Sequence, residues 1–301
     1  TSGSVISSIT ALGITGNFTV ANKVYDGATS TTVQTRTLTG VIGADAVSLT
    51  GGTATFDDAN VGTGKTVTLV GATLTGAAAG NYSLASVNTT TADIAKADAT
   101  IVVSGYSGVY DAAAHGATGS ATGIGGVNLS AGLNLGASFT NAPGGTANWT
   151  FSGGTNYNDT DGSVAIVINQ ANATLVLTGY YGAYNGAAHQ ATGTATGVLG
   201  ESLVGLNMGV TSHTNAGVYI DTVTFTDVTG NYKNTIKNVK STINQANATL
   251  VLTGYYGTYG GAADQATGTA TGVLGESLSG LDMSVTSHTN AGVYIDTVTF
   301  T

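Results

Sequence analysis

The segment "INQANATLVLTGYYGAYNGAAHQATG" occupies residues 168–193, and "INQANATLVLTGYYGTYGGAADQATG" follows at 243–268. The repetition continues to residue 301 with an offset of 75, and only six of the 59 compared positions differ. An internal repeat of this length is typical of a tandem array, in which each copy folds as one small unit. The sequence therefore predicts consecutive copies of one module instead of a single large domain.

More diverged copies precede these two. A third copy begins at Ile94 with "IAKADATIVVSGYSGVYDAAAHGATGSATG", and "VYDG" at 24–27 keeps the same frame in the first part of the chain. In all four copies an isoleucine lies 16 residues before a tyrosine: Ile9, Ile94, Ile168 and Ile243. We predict module boundaries at 10–94, 95–168, 169–243 and 244–301.

The apolar pattern has the period of strands. Segments such as "ATLVLTG" and "GVYIDTVTFT" are short, rich in Val, Thr, Ile and Tyr, and bounded by Gly and Asn. This pattern predicts an all-β fold built from small immunoglobulin-like β-sandwich modules, with β-grasp-like modules as the alternative. The connector "NQANA" contains no Gly or Pro, so we expect an elongated, stiff rod.

Composition excludes several classes of partner. The chain has seven basic residues among 301 and a net charge of −9, which is incompatible with a nucleic-acid-binding patch. No apolar run approaches the roughly 20 residues that span a bilayer, so membrane insertion is not expected. There is no Cys, which excludes disulfides and thiolate zinc sites. No recurring nucleophile and base are found, and we expect neither an enzyme nor a cofactor.

Two stretches of motifs carry a family resemblance. Residues 24–82 contain "VYDGATSTT", "FDDANVGTGKTVTL" and "TLTGAAAGNYSL", which resemble the YDG domain of large bacterial exoproteins. Residues 95–301 resemble the related MBG modules, through "YSGVYDAAAHGATGSATG" and "NYNDTDGSVAIVIN". The resemblance implies an extracellular protein of the bacterial cell surface that acts as a stalk or filament without catalysis. The alternative is an adhesin module that recognises a glycan or another cell surface.

Two sets of tyrosines recur at fixed positions, and we predict a structural role for both in the module cores, with each hydroxyl hydrogen-bonded to backbone. The first set is Tyr25, Tyr110, Tyr184 and Tyr259, and the second set is Tyr82, Tyr157 and Tyr232.

Other candidate sites are weaker. Asp159 and Asp161 in "NDTDG" alternate oxygen side chains before a Gly and could ligate Ca²⁺, although an Asx-type turn is the favoured interpretation. Asn172 and Asn247 are Asn-x-Thr sequons at repeated junctions and are candidates for glycosylation. His213 and His288 align with Phe139, which favours packing positions over ligands.

Residues 1–9, "TSGSVISSI", resemble the end of a module, "TDGSVAIVI" at 160–168. We therefore expect them to be the closing strand of a preceding module or of a neighbouring subunit's module, with Val5 and Ile9 facing a core. The module at 244–301 is correspondingly expected to lack its closing strand. Two hypotheses fit: the chain is an excerpt of a longer tandem protein, or copies of it associate head to tail by donor-strand complementation.

Modules 169–243 and 244–301 differ mainly in small or polar residues, and we expect these positions to lie on the surface. The pairs are Ala183/Thr258, Asn185/Gly260, His189/Asp264, Val204/Ser279, Asn207/Asp282 and Gly209/Ser284.

Overall fold

The computed structural model describes residues 2–301, and its regular structure consists of β-strands with five short 3-10 turns. The prediction of an all-β fold made of small repeated sheets is confirmed. Within residues 2–301, no helix is long and apolar enough to cross a membrane. We refer to 10–94, 95–168, 169–243 and 244–301 as modules 1 to 4.

The chain divides into two compact units, which are described separately. The first comprises the residues up to Ser107 together with Ala114–Thr140 and Gly144–Val167. The second comprises Gly108–Ala113, Asn141–Pro143 and Ile168–Thr301.

Module 1 is built from eight strands in two sheets, with the orders β4-β1-β7 and β2-β8-β6-β5-β3. Phe18, Leu49, Phe56, Val67 and Ile94 are buried together in its core. A 3-10 turn spans Ala79–Asn81. The strands are β1 (Leu12–Val20), β2 (Lys23–Val24), β3 (Ser30–Thr31), β4 (Val33–Thr39), β5 (Ser48–Phe56), β6 (Gly62–Thr75), β7 (Tyr82–Val87) and β8 (Thr90–Ala95).

Module 2 contains a sheet of order β10-β14-β13-β12 and a pair β11-β9. Its strands are β9 (Thr100–Ser104), β10 (Tyr106–Val109), β11 (Thr118–Thr122), β12 (Leu133–Asn134), β13 (Gly144–Phe151) and β14 (Thr160–Asn169). Two 3-10 turns span Ile124–Gly126 and Ser130–Gly132.

Module 3 repeats this arrangement, with the sheet order β16-β20-β19-β18 and the pair β15-β17. Its strands are β15 (Thr174–Thr178), β16 (Tyr181–Ala183), β17 (Thr192–Thr196), β18 (Leu206–Asn207), β19 (Gly217–Phe225) and β20 (Thr235–Asn244), and a 3-10 turn spans Gly209–Thr211.

Module 4 has three two-stranded sheets, β21-β23, β22-β25 and β24-β26. Its strands are β21 (Thr249–Thr253), β22 (Asp264–Gln265), β23 (Thr267–Thr271), β24 (Leu281–Asp282), β25 (Ser287–His288) and β26 (Thr299–Phe300), and a 3-10 turn spans Ser284–Thr286.

Strand β20 closes module 3 by lying between two other strands. It pairs antiparallel with β19 along nine residues and parallel with β16 along three. Val239, Ser241 and Ile243 alternate on its buried side, as the period of two requires. Val223 and Phe225 on β19 are also buried, and the closing strand therefore completes the core of the module.

A glycine permits the close approach of this closing strand. A Cβ at Gly179 would overlap the carbonyl oxygen of Lys240 on β20, and a Cβ at Gly105 would overlap the carbonyl of Ala165 on β14. The aligned Gly254 of module 4 has no atom within 4 Å of the position of a Cβ. The close approach of the strand requires glycine in modules 2 and 3. In module 4, among residues 2–301, no strand lies beside the aligned glycine.

Residues 2–11 adopt no strand and are exposed, while residue 1 of the expected closing segment lies outside the described residues. Val5 is 89% exposed and Ile9 is 99% exposed. Among residues 2–301, this segment pairs with no sheet of module 1 or of any other module. Its role as a closing strand stays a prediction.

The expectation for the positions that distinguish modules 3 and 4 is confirmed, because none of the twelve residues is buried. Val204 is 70% exposed, and Ser279 is exposed as well. His189 and Asp264 are half-buried. The core residues of the two modules are therefore identical over the aligned positions.

We expect Gly179→Ala to lower the free energy of unfolding of module 3 by about 1–3 kcal/mol, the usual cost of overpacking a close contact, and to weaken the pairing of β20. Amide hydrogen exchange measured by mass spectrometry over residues 235–244 should become faster. Gly254→Ala is the matched control and should leave exchange unchanged in the monomer, because the space beside it is open. Equal exchange in the wild type and Gly179→Ala would contradict the steric argument.

Candidate functional site

The second set of tyrosines is buried, with each ring in a module and each hydroxyl at a loop. Tyr82, Tyr157 and Tyr232 are all under 10% exposed. Their hydroxyl oxygens accept hydrogen bonds from the backbone N–H groups of the loops that begin at Ile42, Ile124 and Val198, at 3.1, 2.9 and 3.0 Å. Each tyrosine thus ties its own loop to the module core.

Two of these hydroxyls also donate to a carboxylate. The Tyr82 hydroxyl donates to Asp45 at 2.5 Å, and that hydrogen bond raises the pKa of Tyr82 above its ordinary value. The Tyr232 hydroxyl donates to Glu201. Burial, followed by that carboxylate, raises the pKa of Tyr232, while the hydrogen bond from the tyrosine lowers the pKa of Glu201. Both tyrosines therefore remain neutral donors at ordinary pH.

The first joint between consecutive modules lies entirely within the first compact unit. The ring of Tyr25 in module 1 meets the ring of Tyr157 in module 2 edge-on, with centroids 5.4 Å apart and an interplanar angle of 77°. The neighbouring Asn156 side chain accepts from the N–H of Val61 at 3.0 Å and donates to the side chain of Asn60 at 3.0 Å. Module 2 therefore holds module 1 through the consecutive residues Asn156 and Tyr157.

The second joint repeats this geometry within the second compact unit. The ring of Tyr110 meets that of Tyr232 edge-on, at 5.5 Å and 80°. The Asn231 side chain accepts from the N–H of Ala142 at 2.9 Å and donates to the side chain of Asn141 at 3.1 Å. The same pair of residue types, in the same order, makes both joints. We call this arrangement the Asn–Tyr joint.

The connector between modules strengthens each joint through backbone hydrogen bonds. The N–H of Ala97 donates to the carbonyl of Asn156 at 3.0 Å, and the carbonyl of Ala97 accepts from the N–H of Asn158 at 2.9 Å. Ala171 repeats the pair in the second joint, where both bonds are 2.9 Å long. The connector is therefore a short parallel bridge against the following module.

In the first set of tyrosines, Tyr25 and Tyr110 lie in the joints, where they contact a neighbouring module in addition to the predicted role in their own. Tyr25 and Tyr110 are half-buried against a tyrosine of the neighbouring module. Tyr184 is half-buried, and Tyr259 is 66% exposed. The backbone N–H groups of Tyr25, Tyr110 and Tyr184 bond to the end of the closing strand of their module, as Tyr25 does to Ala95 at 2.8 Å. The rings of Tyr25 and Tyr110 pack against the core of the following module, and Tyr25 also packs against the core of its own module.

Sequence reasoning did not assign a role to the asparagines of the joint. The motifs "GNY" at 80–82, "TNY" at 155–157 and "GNY" at 230–232 place Asn immediately before each buried tyrosine. The recurrence of this pair every 75 residues was the available signal. Of its partners, Asn141 in "TNAP" recurs as Asn215 and Asn290 in "TNAG", whereas Asn60 in "ANV" lies outside the 75-residue spacing.

The "VYDG" motif forms a local turn in module 1. Asp26 accepts from the N–H of Ala28 at 2.9 Å and from the ammonium of Lys23 at 2.7 Å. The hydrogen bond from Lys23 lowers the pKa of Asp26. Lys23 donates further to the carbonyls of Ala28 and Ser30, so a single ammonium stabilises the whole turn.

The histidines stack on tyrosines. The His213 ring lies 3.7 Å from that of Tyr219, with an interplanar angle of 6°, and its Nε2 is 2.9 Å from a carboxylate oxygen of Asp221. The Tyr219 hydroxyl donates to the carbonyl of Asn215 at 2.8 Å. Module 4 repeats the arrangement with His288, Tyr294 and Asp296.

Module 2 fills the same space with a single aromatic ring. The residues aligned with His213, Tyr219 and Asp221 are Phe139, Gly145 and Ala147. A Cβ at Gly145 would overlap the ring of Phe139, so that ring lies where the tyrosine would begin. The histidine position is therefore a packing position, as Phe139 indicated.

The weaker candidates occupy exposed positions. Asp159 accepts from the N–H of Gly153 at 2.8 Å, and Asp161 lies on β14 opposite Thr150. Residues 2–301 contain no group of three or more His, Cys, Asp or Glu side chains arranged to hold a metal ion. Asn172 and Asn247 are both exposed in connectors, and their glycosylation stays a prediction.

We expect Asp221→Ala to destabilise module 3 by about 1–2 kcal/mol, because the His213 ring loses a largely buried hydrogen-bond partner. Amide exchange over residues 217–225 reports the change. The triple variant His213→Phe, Tyr219→Gly and Asp221→Ala recreates the arrangement of module 2 and should recover part of the loss. A triple variant that exchanges faster than the single one would contradict the packing interpretation.

Comparison with known families identifies one domain. A family model described as the YDG domain matches residues 10–92. No curated protein matches the chain. The matched range contains strands β1 to β7, the beginning of β8 and the turn at Lys23 and Asp26. Residues 10–92 of this chain are a YDG domain.

Proposed function

We propose that the chain is a structural, non-enzymatic region of a secreted bacterial surface protein, in which tandem modules form a stalk. The single observation that carries this proposal is the Asn–Tyr joint, which occurs once in each compact unit with the same contacts. In this proposal, modules 2 to 4 are MBG-type modules that follow the YDG domain. The array projects from the cell surface and transmits tension along its length.

The energetics of the joint support a stalk over loosely tethered domains. Each joint combines an edge-on aromatic pair, worth about 0.5–1.5 kcal/mol, with four hydrogen bonds of about 1 kcal/mol each. Domains without a large interface move relative to one another by default. A joint stabilised by several kcal/mol keeps neighbouring modules in one arrangement for most of the time.

The proposal is tested by small-angle X-ray scattering on monomers of the whole chain. The double variant Tyr25→Ala and Tyr110→Ala removes one ring from each joint; both rings are half-buried, and that of Tyr25 also packs against the module 1 core. We expect a broader distribution of interatomic distances than in the wild type. Tyr184→Ala is the matched control, because Tyr184 has no aromatic partner among residues 2–301.

Two outcomes of this experiment would count against a stiff array. The first is identical scattering from the wild type and the double variant. The second is an equal change in the control, because that would assign the effect to the modules themselves.

A second candidate function is a binding module of an adhesin. The observation that favours it is an exposed tyrosine at one position of modules 3 and 4, where Tyr181 is 78% exposed and Tyr256 is fully exposed. Exposed aromatic rings provide stacking faces for the apolar faces of sugars. The partner in this candidate is a glycan or another cell surface.

A glycan array probed with the whole chain tests this second function. We expect any specific signal to fall by at least about tenfold in the double variant Tyr181→Ala and Tyr256→Ala, since one lost stacking contact costs about 1 kcal/mol and two sites act together. Absence of specific signals would remove the candidate. Signals that survive in the variant would place the contact elsewhere.

A further inference from the structure

We propose that Asn185 is a self-modifying site, where attack by the backbone nitrogen of Gly186 converts the side-chain amide to a carboxylate and His189 donates a hydrogen bond that promotes the attack. Asn185 and Gly186 form the only Asn–Gly pair in the chain. The inference does not rest on the proposed stalk, because every reacting group belongs to module 3. Its failure would therefore leave the stalk untouched.

The amide oxygen of Asn185 has two hydrogen-bond donors. The backbone N–H of Ala187 donates to Oδ1 at 3.0 Å, and Nε2 of His189 lies 2.8 Å from the same oxygen. An amide oxygen only accepts hydrogen bonds, so Nε2 is the ring nitrogen that carries the hydrogen. When a nucleophile attacks Cγ, negative charge develops on Oδ1, and two N–H groups are already directed at that charge.

The nucleophile is the backbone nitrogen of Gly186. This nitrogen is bonded to the main-chain carbonyl carbon of Asn185, so the attack on Cγ is intramolecular and closes a five-membered ring. Glycine has no Cβ to crowd the ring, and its φ of +80° is one that other residues rarely adopt. Asn185 is exposed, which lets ammonia leave and water enter.

The reaction proceeds in two balanced steps. In the first, a bond forms between the Gly186 nitrogen and Cγ of Asn185, and the bond from Cγ to Nδ2 breaks. The proton of the Gly186 N–H leaves with Nδ2 as ammonia, and the product is a cyclic imide. In the second step, water adds its hydroxyl to one imide carbonyl carbon and returns a proton to the nitrogen, which yields an aspartyl or an isoaspartyl residue. Neither step needs an oxidant or a reductant.

The aspartyl product is already accommodated by the same turn in two other modules. In module 1, Asp26 accepts from the N–H of Ala28 at 2.9 Å, and in module 2, Asp111 accepts from the N–H of Ala113 at 2.9 Å. The reaction therefore changes "YNG" of module 3 into the "YDG" of module 1 and adds one negative charge. That charge strengthens the hydrogen bonds which Oδ1 accepts.

Module 4 lacks the amide and its donor together. The residues aligned with Asn185 and His189 are Gly260 and Asp264, which are two of the six differences between modules 3 and 4. The carboxamide and the imidazole are thus replaced as a pair in a module that is otherwise almost identical. The site is specific to module 3.

Three other asparagines provide internal controls, because they form the same turn without the other features of the site. Asn128, Asn134 and Asn207 each accept at Oδ1 from the backbone N–H two residues later, at 2.9, 2.9 and 3.0 Å. They are followed by Leu, Leu and Met, and among residues 2–301 no histidine donates to their oxygens. The turn alone is therefore present in three copies beside the complete site.

The test is incubation of the folded whole chain at neutral pH in heavy-oxygen water, followed by digestion in ordinary water and mass spectrometry. The peptide that contains residue 185 should exchange NH₂ for OH and gain one heavy oxygen, and fragmentation should place the change at that residue. Asn128, Asn134 and Asn207 should remain amides in the same sample. The folded chain should convert faster than the chain in denaturant, where both donors are lost.

His189→Phe separates the effect of the fold from the reactivity of any Asn–Gly pair. The His189 ring stacks on Tyr180 with centroids 3.9 Å apart, and Phe keeps a ring in that stack but has no N–H. We expect conversion in the folded variant to be slower by about tenfold, which corresponds to about 1.4 kcal/mol and to the scale of one hydrogen bond. In denaturant the variant and the wild type should convert at equal rates. Amide exchange over β17 checks that module 3 remains folded.

Three results would overturn the proposal. The first is an Asn185 that keeps its amide in the folded chain after the denatured chain has been converted. The second is equal conversion of the folded wild type and folded His189→Phe. The third is conversion of Asn128, Asn134 or Asn207 at the rate of Asn185, because that would assign the reaction to the turn alone.

Discussion

The closing strand is the constraint on which each module depends. In module 3, β20 pairs with a strand on both sides, antiparallel with β19 and parallel with β16. Its three alternating buried residues cover the apolar faces that the other strands leave open. Module 4 shows the effect of its absence among residues 2–301, because nearly the same sequence there forms only short two-stranded sheets.

The closing strand also sets the position of the joint. Its last residues accept the backbone N–H of the first-set tyrosine, as Asn169 does for Tyr110 and Asn244 does for Tyr184, both at 2.8 Å. The connector that follows, at Ala97 or Ala171, then pairs with the Asn–Tyr loop of the next module. A few consecutive residues therefore complete the core of one module and pair with the following module, so no flexible linker separates the two modules.

Much of this organisation could be predicted from the sequence, because strand period, turn residues and repetition are local signals. One tyrosine of the second set recurs in each of modules 1 to 3. This recurrence predicts a buried ring with a backbone-bonded hydroxyl, as the structure has at Tyr82, Tyr157 and Tyr232. The contact of Tyr25 and Tyr110 with the following module could not be predicted, since a recurring aromatic residue is equally consistent with a core and with a contact between modules. Asn60, the partner of Asn156, lies in a segment that does not repeat, and the His213–Asp221 contact has no counterpart in module 2. Only the folded chain brings those residues together.

The joint has a consequence for how such a chain changes its length. Each of modules 1 to 3 carries one tyrosine of each set, so every copy holds both an outgoing and an incoming half of the contact. Duplication or loss of 75 residues by recombination between near-identical copies adds or removes a whole module while the new neighbours still present matching halves. A population of such genes can therefore vary the number of modules in its product one at a time, without any compensating substitution at the new junction.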